Sequence, residues 1–159
     1  NKTSKLEDHY DIVDSDLYSG QGSSKYQQLS DDKNNVFPDF KGLKDHWCQG
    51  SEYIAIYPNV LMGVHRDHIF SIILEALSVT ETKENIAFYY AEKFEAVKQI
   101  DKLKKRNLLF WKKIFKEDIY VVEGMQKGRY GEKYDGGKFS PVMDRSTHNF
   151  HAWIAQQLV

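Results

Sequence analysis

Apolar and polar positions change period along this chain. Between residues 51 and 91 the apolar residues form short stretches: SEYIAIY, VLMGVH, HIFSIILEALSV and IAFYYAE. The pairs PN and RD and the polar TETKEN separate them. Val, Ile, Tyr and Phe favour a pleated, half-buried backbone, and connections this short join antiparallel neighbours. After Ala91 the period becomes helical, and EKFEAVKQIDKLKKRNLLFWKKIFKEDIYVVEGMQK predicts helix to about Lys127. It is either one long helix or two with a break near residues 106–107, and Gly128 is a fitting stop. Phe150, Trp153, Ile154 and Leu158 keep helical spacing and predict a final helix, capped by Asp144 or Ser146.

The first 19 residues alternate apolar and acidic positions in HYDIVDSDLY and predict one or two short strands. Residues 20–50 show no period. A structureless stretch of that length is uncommon in a compact domain and often forms a lid or binding loop, with FPDF and HWC able to tuck rings onto a core. Near the other end, RYGEKYDGGKFSPVM reads as a loop, with Asp-Gly-Gly its tightest turn. A sheet followed by helices is the α+β class.

Composition narrows the function classes. The 159 residues predict one domain with a real core. With 22 basic against 23 acidic residues, nothing argues for nucleic acid or a membrane surface as partner. Cys48 is the only cysteine, so an internal disulfide and a cysteine-based zinc cage are excluded. No apolar run approaches the ~20 residues that span a bilayer. The chain opens at Asn1 without an initiator Met or signal peptide, and it reads as if cut from something longer.

Asp118 is the candidate that periodicity singles out. With about 100° per residue and Trp111 at zero, Phe115, Asp118, Val122 and Met125 fall within about 40° of it. Lys112, Lys113, Lys116, Glu123 and Lys127 project to the opposite half. An unpartnered carboxylate on a buried stripe costs several kcal/mol, so Asp118 needs a partner or must stay protonated. An ion pair, a capped backbone or a rotated, exposed helix would each satisfy it. Gly124, one turn further on, invites a close packing contact. His65 and His68 flank the RD turn and read as turn and surface residues. His148 and His151 lie on one side of the last helix; such a pair can ligate a metal, and packing is the simpler reading.

Five segments in series resemble one family. They are YIAIYPNVLMGVHRDHIFSIILEAL, the Glu-Asp of FWKKIFKEDIYVVEGMQKGR, its Gln-x-Gly end, the Ser-Pro loop, and Phe-His-x-Trp in GGKFSPVMDRSTHNFHAWIAQQL. The chain resembles the C-terminal part of the Rieske-type non-haem iron oxygenases, the ring-hydroxylating dioxygenase α-subunits and their monooxygenase relatives. Its wording is closest to the choline- and carnitine-monooxygenase-like branch. The resemblance implies a helix-grip (START-like) fold, a curved antiparallel sheet gripping a long helix, here incomplete. It implies that Asp118 is the carboxylate ligand of a mononuclear Fe(II) also held by two histidines. Trp111, Phe115, Val122, Phe88 and Tyr90 are the candidate pocket walls, suited to a cationic head group.

In that family the two ligand histidines precede the strands, and a Rieske [2Fe–2S] domain lies further upstream. Both fall before Asn1, so residues 1–159 are expected to be the C-terminal part of a catalytic domain and inactive alone. The expected reaction is O₂ activation and hydroxylation of a small organic substrate, an alkylammonium compound such as choline or carnitine, or an aromatic ring. A reductase or ferredoxin donor, a homotrimer and a cytoplasmic location are further expectations. The competing expectation is a non-catalytic helix-grip ligand carrier.

Overall fold

The computed structural model describes residues 10–30, 35–91 and 100–159. Two compact units emerge, one made of residues 1–28, 38–93 and 139–159, the other of residues 29–37 and 94–138.

The first unit is an antiparallel meander of six strands in sequential order. They are β1 (Tyr10–Asp14), β2 (Tyr18–Ser23), β3 (Ser51–Ile56), β4 (Val60–His65), β5 (His68–Ala76) and β6 (Thr82–Tyr90). The two-residue turn at positions 66–67 joins β4 to β5, as the alternation predicts. β6 starts earlier than expected, within the polar TETKEN run, because β5 pairs with it along its whole length from Ala76↔Thr82 to His68↔Tyr90. Its outer half is exposed, so Lys83 can extend to Glu75 at 3.1 Å without desolvation. The long irregular segment between β2 and β3 holds a short 3₁₀ turn at Asp45–Cys48.

Helix α2 (Arg145–Gln157) belongs to the same unit and docks on β1 and β2. Asp144 occupies its N-cap position but makes no side-chain cap; its carboxylate instead accepts from the Ser140 N–H at 2.7 Å. Docking is polar at the helix start: Ser19 Oγ donates to Ser146 O at 2.9 Å, and Ser146 Oγ donates to Gly20 O at 3.0 Å. Further along, Phe150 and Trp153 pack against Tyr57 at 5.1 and 5.3 Å between ring centroids. The Tyr57 hydroxyl closes the network by donating to the buried Ser19 Oγ at 2.7 Å. Tyr57→Phe keeps the ring packing and removes one buried hydrogen bond, so a loss of about 1 kcal/mol is expected in denaturant titration.

The second unit contains α1 (Ile100–Gly128), unbroken at residues 106–107. Leu103, Asn107 and Trp111 are its buried residues, at spacings of one helical turn. Residues 92–99, expected to start this helix, lie outside the described residues, as do residues 1–9.

Candidate functional site

The sequence GVHRDHIF folds into the β4–β5 hairpin and sets the chemistry of the first unit. Gly63 pairs with Phe70, so their side chains share one face of the sheet. Alternation places His65 on that face with Gly63, and His68 on it with Phe70 and Ile72; each of these positions is buried. Gly63 is needed for close approach, since a Cβ there would come within 2.3 Å of the Phe70 ring. The turn divides its two charges. Arg66 turns to the exposed side, where its Nε donates to Asp39 at 2.8 Å and its Nη1 to Cys48 O at 2.8 Å. Asp67 turns inward and is 0% exposed, beside His65 and His68 at 1% each.

Five side chains then meet. Asp67 Oδ1 accepts from the Tyr26 hydroxyl at 2.8 Å and lies 2.9 Å from His68 Nδ1. His65 stacks on His68 with ring centroids 4.4 Å apart and planes within 13°. Tyr26 covers His65 at 4.6 Å, and the Tyr53 hydroxyl lies 3.2 Å from His65 Nε2. Tyr26 comes from the irregular segment after β2, which its backbone N–H ties to Gln49 O at 2.6 Å.

The electrostatics follow from burial. Burial, then the repulsion of His68, lowers His65 to about 3 from the ordinary 6.5, so it stays a neutral imidazole. Burial works to raise Asp67, but the hydrogen bond and charge of His68 and the Tyr26 hydroxyl outweigh it and hold the carboxyl below its usual range. Burial, with the charge of Asp67 beside it, pushes the Tyr26 phenol well above its ordinary value. The cluster therefore carries an ionised carboxylate, a neutral phenol and one neutral imidazole.

The surface reading of His65 and His68 is overturned: they stand at the turn but face inward. The inward phase of Phe70 and Ile72, extended back two residues, reaches His68, and that alternation was the signal available in the sequence. The predicted wall residues Phe88 and Tyr90 are half-buried on the same face, with ring centroids 6.5 and 6.3 Å from His68. In the other unit Trp111 is buried and stacks on the half-buried Phe115 at 5.7 Å. Beyond Phe115 the expected buried stripe ends. Asp118 is exposed, and Val122 is 64% exposed. The expected burial of Asp118 is thus not observed: residues 116–125 of α1 are all exposed. Gly124 likewise has open space instead of a close contact. His148 and His151 are exposed and meet Phe139 edge-on at 5.3 and 5.1 Å. Among the described residues no group of three or more His, Cys, Asp or Glu side chains is placed to hold a metal. Asp118 is a suitable oxygen donor in kind, but the described donor set does not make an iron site by itself.

Comparison with known proteins decides the family, since residues 4–159 match the one described as "Ring hydroxylating alpha subunit (catalytic domain)". The chain belongs to that family. Members of the ring-hydroxylating oxygenase α-subunits are oxidoreductases, and the α+β layout with an antiparallel six-stranded sheet is consistent with such a catalytic domain. The chain is also similar to the chloroplastic choline monooxygenase of Amaranthus tricolor, at 25% identity over 111 residues. That match covers 69% of this chain and 24% of the relative, so the chain spans about a quarter of the relative's length. No described helix of this chain is long and apolar enough to cross a membrane.

Proposed function

We propose that this chain is the C-terminal part of the catalytic domain of a Rieske-type oxygenase α-subunit with a helix-grip fold, acting in the cytoplasm. The observation that carries the reading is the family match across almost the whole chain. The full enzyme would use mononuclear Fe(II) to activate O₂ and hydroxylate a small organic substrate, with electrons supplied by a reductase or ferredoxin through a Rieske [2Fe–2S] cluster. Its assembly would be a homotrimer. An alkylammonium substrate is favoured over an aromatic ring by the similarity to choline monooxygenase and by rings such as Phe88, Tyr90, Trp111 and Phe115, which attract cations through their faces.

In this reading Asp118 supplies one carboxylate to the iron, and two histidines from outside the described residues supply the rest. Ile119, Val121, Val122 and Met125 are exposed apolar neighbours of Asp118 on α1. Covering them would exclude water from the carboxylate and strengthen its hold on a cation. No catalytic step is assigned to residues of this chain through the metal.

Asp118→Ala in the complete oxygenase is expected to reduce iron per subunit at least tenfold and to abolish turnover, while the [2Fe–2S] absorbance persists. Iron stoichiometry measured by elemental analysis checks this. Retention of iron in the variant would reject the role of Asp118. A wild-type protein that binds small cations but contains no iron would favour a ligand carrier.

A further inference from the structure

The segment between β2 and β3 is irregular, yet three stretches of it end on the same two residues of the β4–β5 turn. The Tyr26 hydroxyl donates to Asp67, Arg66 Nε donates to Asp39, and the Phe40 N–H donates to Arg66 O at 2.8 Å. Arg66 makes a second bond to Asp39 through Nη2, and its Nη1 donates to Cys48 O. These stretches are also tied to one another. The Tyr26 N–H donates to Gln49 O, and Gln28 Nε2 donates to Asp39 Oδ1 at 3.0 Å. All of these residues belong to the first unit. The turn therefore grips the segment twice, with Arg66 on the exposed side and Asp67 from within.

The grip is polar. None of residues 38–50 is buried, and the 3₁₀ turn at Asp45–Cys48 buries nothing. Hydrogen bonds and an exposed ion pair each add little to stability. The sheet beside them is held differently, by the buried Phe70 and Ile72 and by unbroken backbone pairing from β3 to β6. A stretch with few buried apolar contacts opens at a lower free energy than the layer it rests on. Arg66 concentrates the hold, because its guanidinium and its carbonyl together reach Asp39, Phe40 and Cys48. The hydrogen bond from Asp39 raises its pKa above the ordinary value, so the guanidinium stays charged throughout the working range. Tyr26 is bound to the same stretch through Gln49 O, and its ring lies 4.6 Å from the buried His65.

We propose that residues 38–50 and Tyr26 form a strap that opens as one unit while the six-stranded sheet stays folded, with Arg66 as its latch. Releasing Arg66 frees Asp39, Phe40 and Cys48 together. Gln49 then no longer holds the Tyr26 backbone in place, and the single bond from the Tyr26 hydroxyl to Asp67 is left to keep the ring down. When that bond breaks, the ring leaves His65. The exposed latch thus sets how often this end of the sheet face meets solvent. The inference concerns the first unit alone and does not depend on the oxygenase reading.

Hydrogen exchange of the complete protein at pH 7, read by mass spectrometry with site-resolving fragmentation, tests this. In the wild type the Tyr26 and Phe40 amides should be protected about tenfold less, or weaker still, than the amides of β4 and β5. Arg66→Gln should lower protection at Tyr26 and Phe40 together by about tenfold, the loss of one charge-assisted hold. Asp39→Asn, which keeps the shape and removes the charge, should lower both by about threefold. Tyr26→Phe should act in the same direction at both amides, because the two ends open as one. Protection of β4, β5 and β6 should stay within about twofold of wild type in every variant. Strap amides as protected as those of β4 and β5 would overturn the proposal, since the stretch would then open only with the sheet. So would an Arg66→Gln protein that loses protection at Phe40 and keeps it at Tyr26, or one whose sheet amides fall equally. If Arg66→Gln does not fold, Asp39→Asn and the wild-type ranking decide.

Discussion

Lowering the pH below 6.5 is expected to destabilise the β4–β5 hairpin by about 1.4 kcal/mol per pH unit through His65 alone. Folded His65 stays neutral down to about 3, whereas the unfolded side chain takes up a proton near 6.5. Between those values the unfolded state binds more protons, so stability rises with pH and is complete above 6.5. It levels off only below about 3. Asp67 acts in the same direction in an adjoining window. Its folded pKa lies below the ordinary 3.8, so its contribution is present above 3.8 and is lost as pH falls through the folded value. The physical cause in both cases is a group fixed in one protonation state by a buried environment that the unfolded chain lacks. Amide hydrogen exchange of β4 and β5 at pH 7 and pH 5 measures the opening free energy locally. The wild type should lose about 2 kcal/mol over that range, and His65→Gln should lose correspondingly less. Equal losses in the two proteins would show that His65 is not buried neutral.

The second large effect is expected at Gly20, which lies in the middle of β2 opposite Ile54. A Cβ at this position would lie 2.1 Å from Tyr53 O and 2.7 Å from Ile54 Cα. Both obstacles are backbone, so no rotamer change relieves them; β2 and β3 must separate or shift. The shift would carry Gly20 O away from Ser146 Oγ and Ser19 Oγ away from Ser146 O, loosening α2. Gly20→Ala is therefore expected to cost about 3 kcal/mol or more. Gly124→Ala is the contrasting control. Nothing lies within 4 Å of a Cβ there, on a helix face open to solvent, and removing a mid-helix glycine should stabilise α1 by up to about 1 kcal/mol. Thermal melts of the two variants should move in opposite directions. A Gly20→Ala protein as stable as wild type would mean that β2 and β3 do not approach as closely as described.

Much of the fold was legible because its elements obey local periods. Apolar stretches punctuated by PN and RD became β3, β4 and β5 in the expected antiparallel order, and the helical spacing of residues 100–128 became α1. The polar start of β6 was not legible, because an edge strand needs only backbone pairing with β5, and hydropathy carries no signal for that. The cap of α2 was half legible. Asp144 sits where expected, but Ser146 is occupied by β2, a contact from the far end of the chain.

Sequence by itself determined the class of fold, the position of the hairpin turn and the family, since each depends on local order or on motifs in series. Tertiary structure alone decided which charges are inside. Asp118 lies on an apolar stripe, yet a stripe buries its residues only where another surface covers it, and residues 116–125 of α1 are exposed. His65, Asp67 and His68 read as a polar turn, yet the pairing of Gly63 with Phe70 turns them towards the buried face. There Tyr26, 41 residues away from Asp67 in sequence, supplies a hydrogen bond that makes the burial tolerable. Burial is a property of what faces a residue, and for these groups the facing partner is distant along the chain.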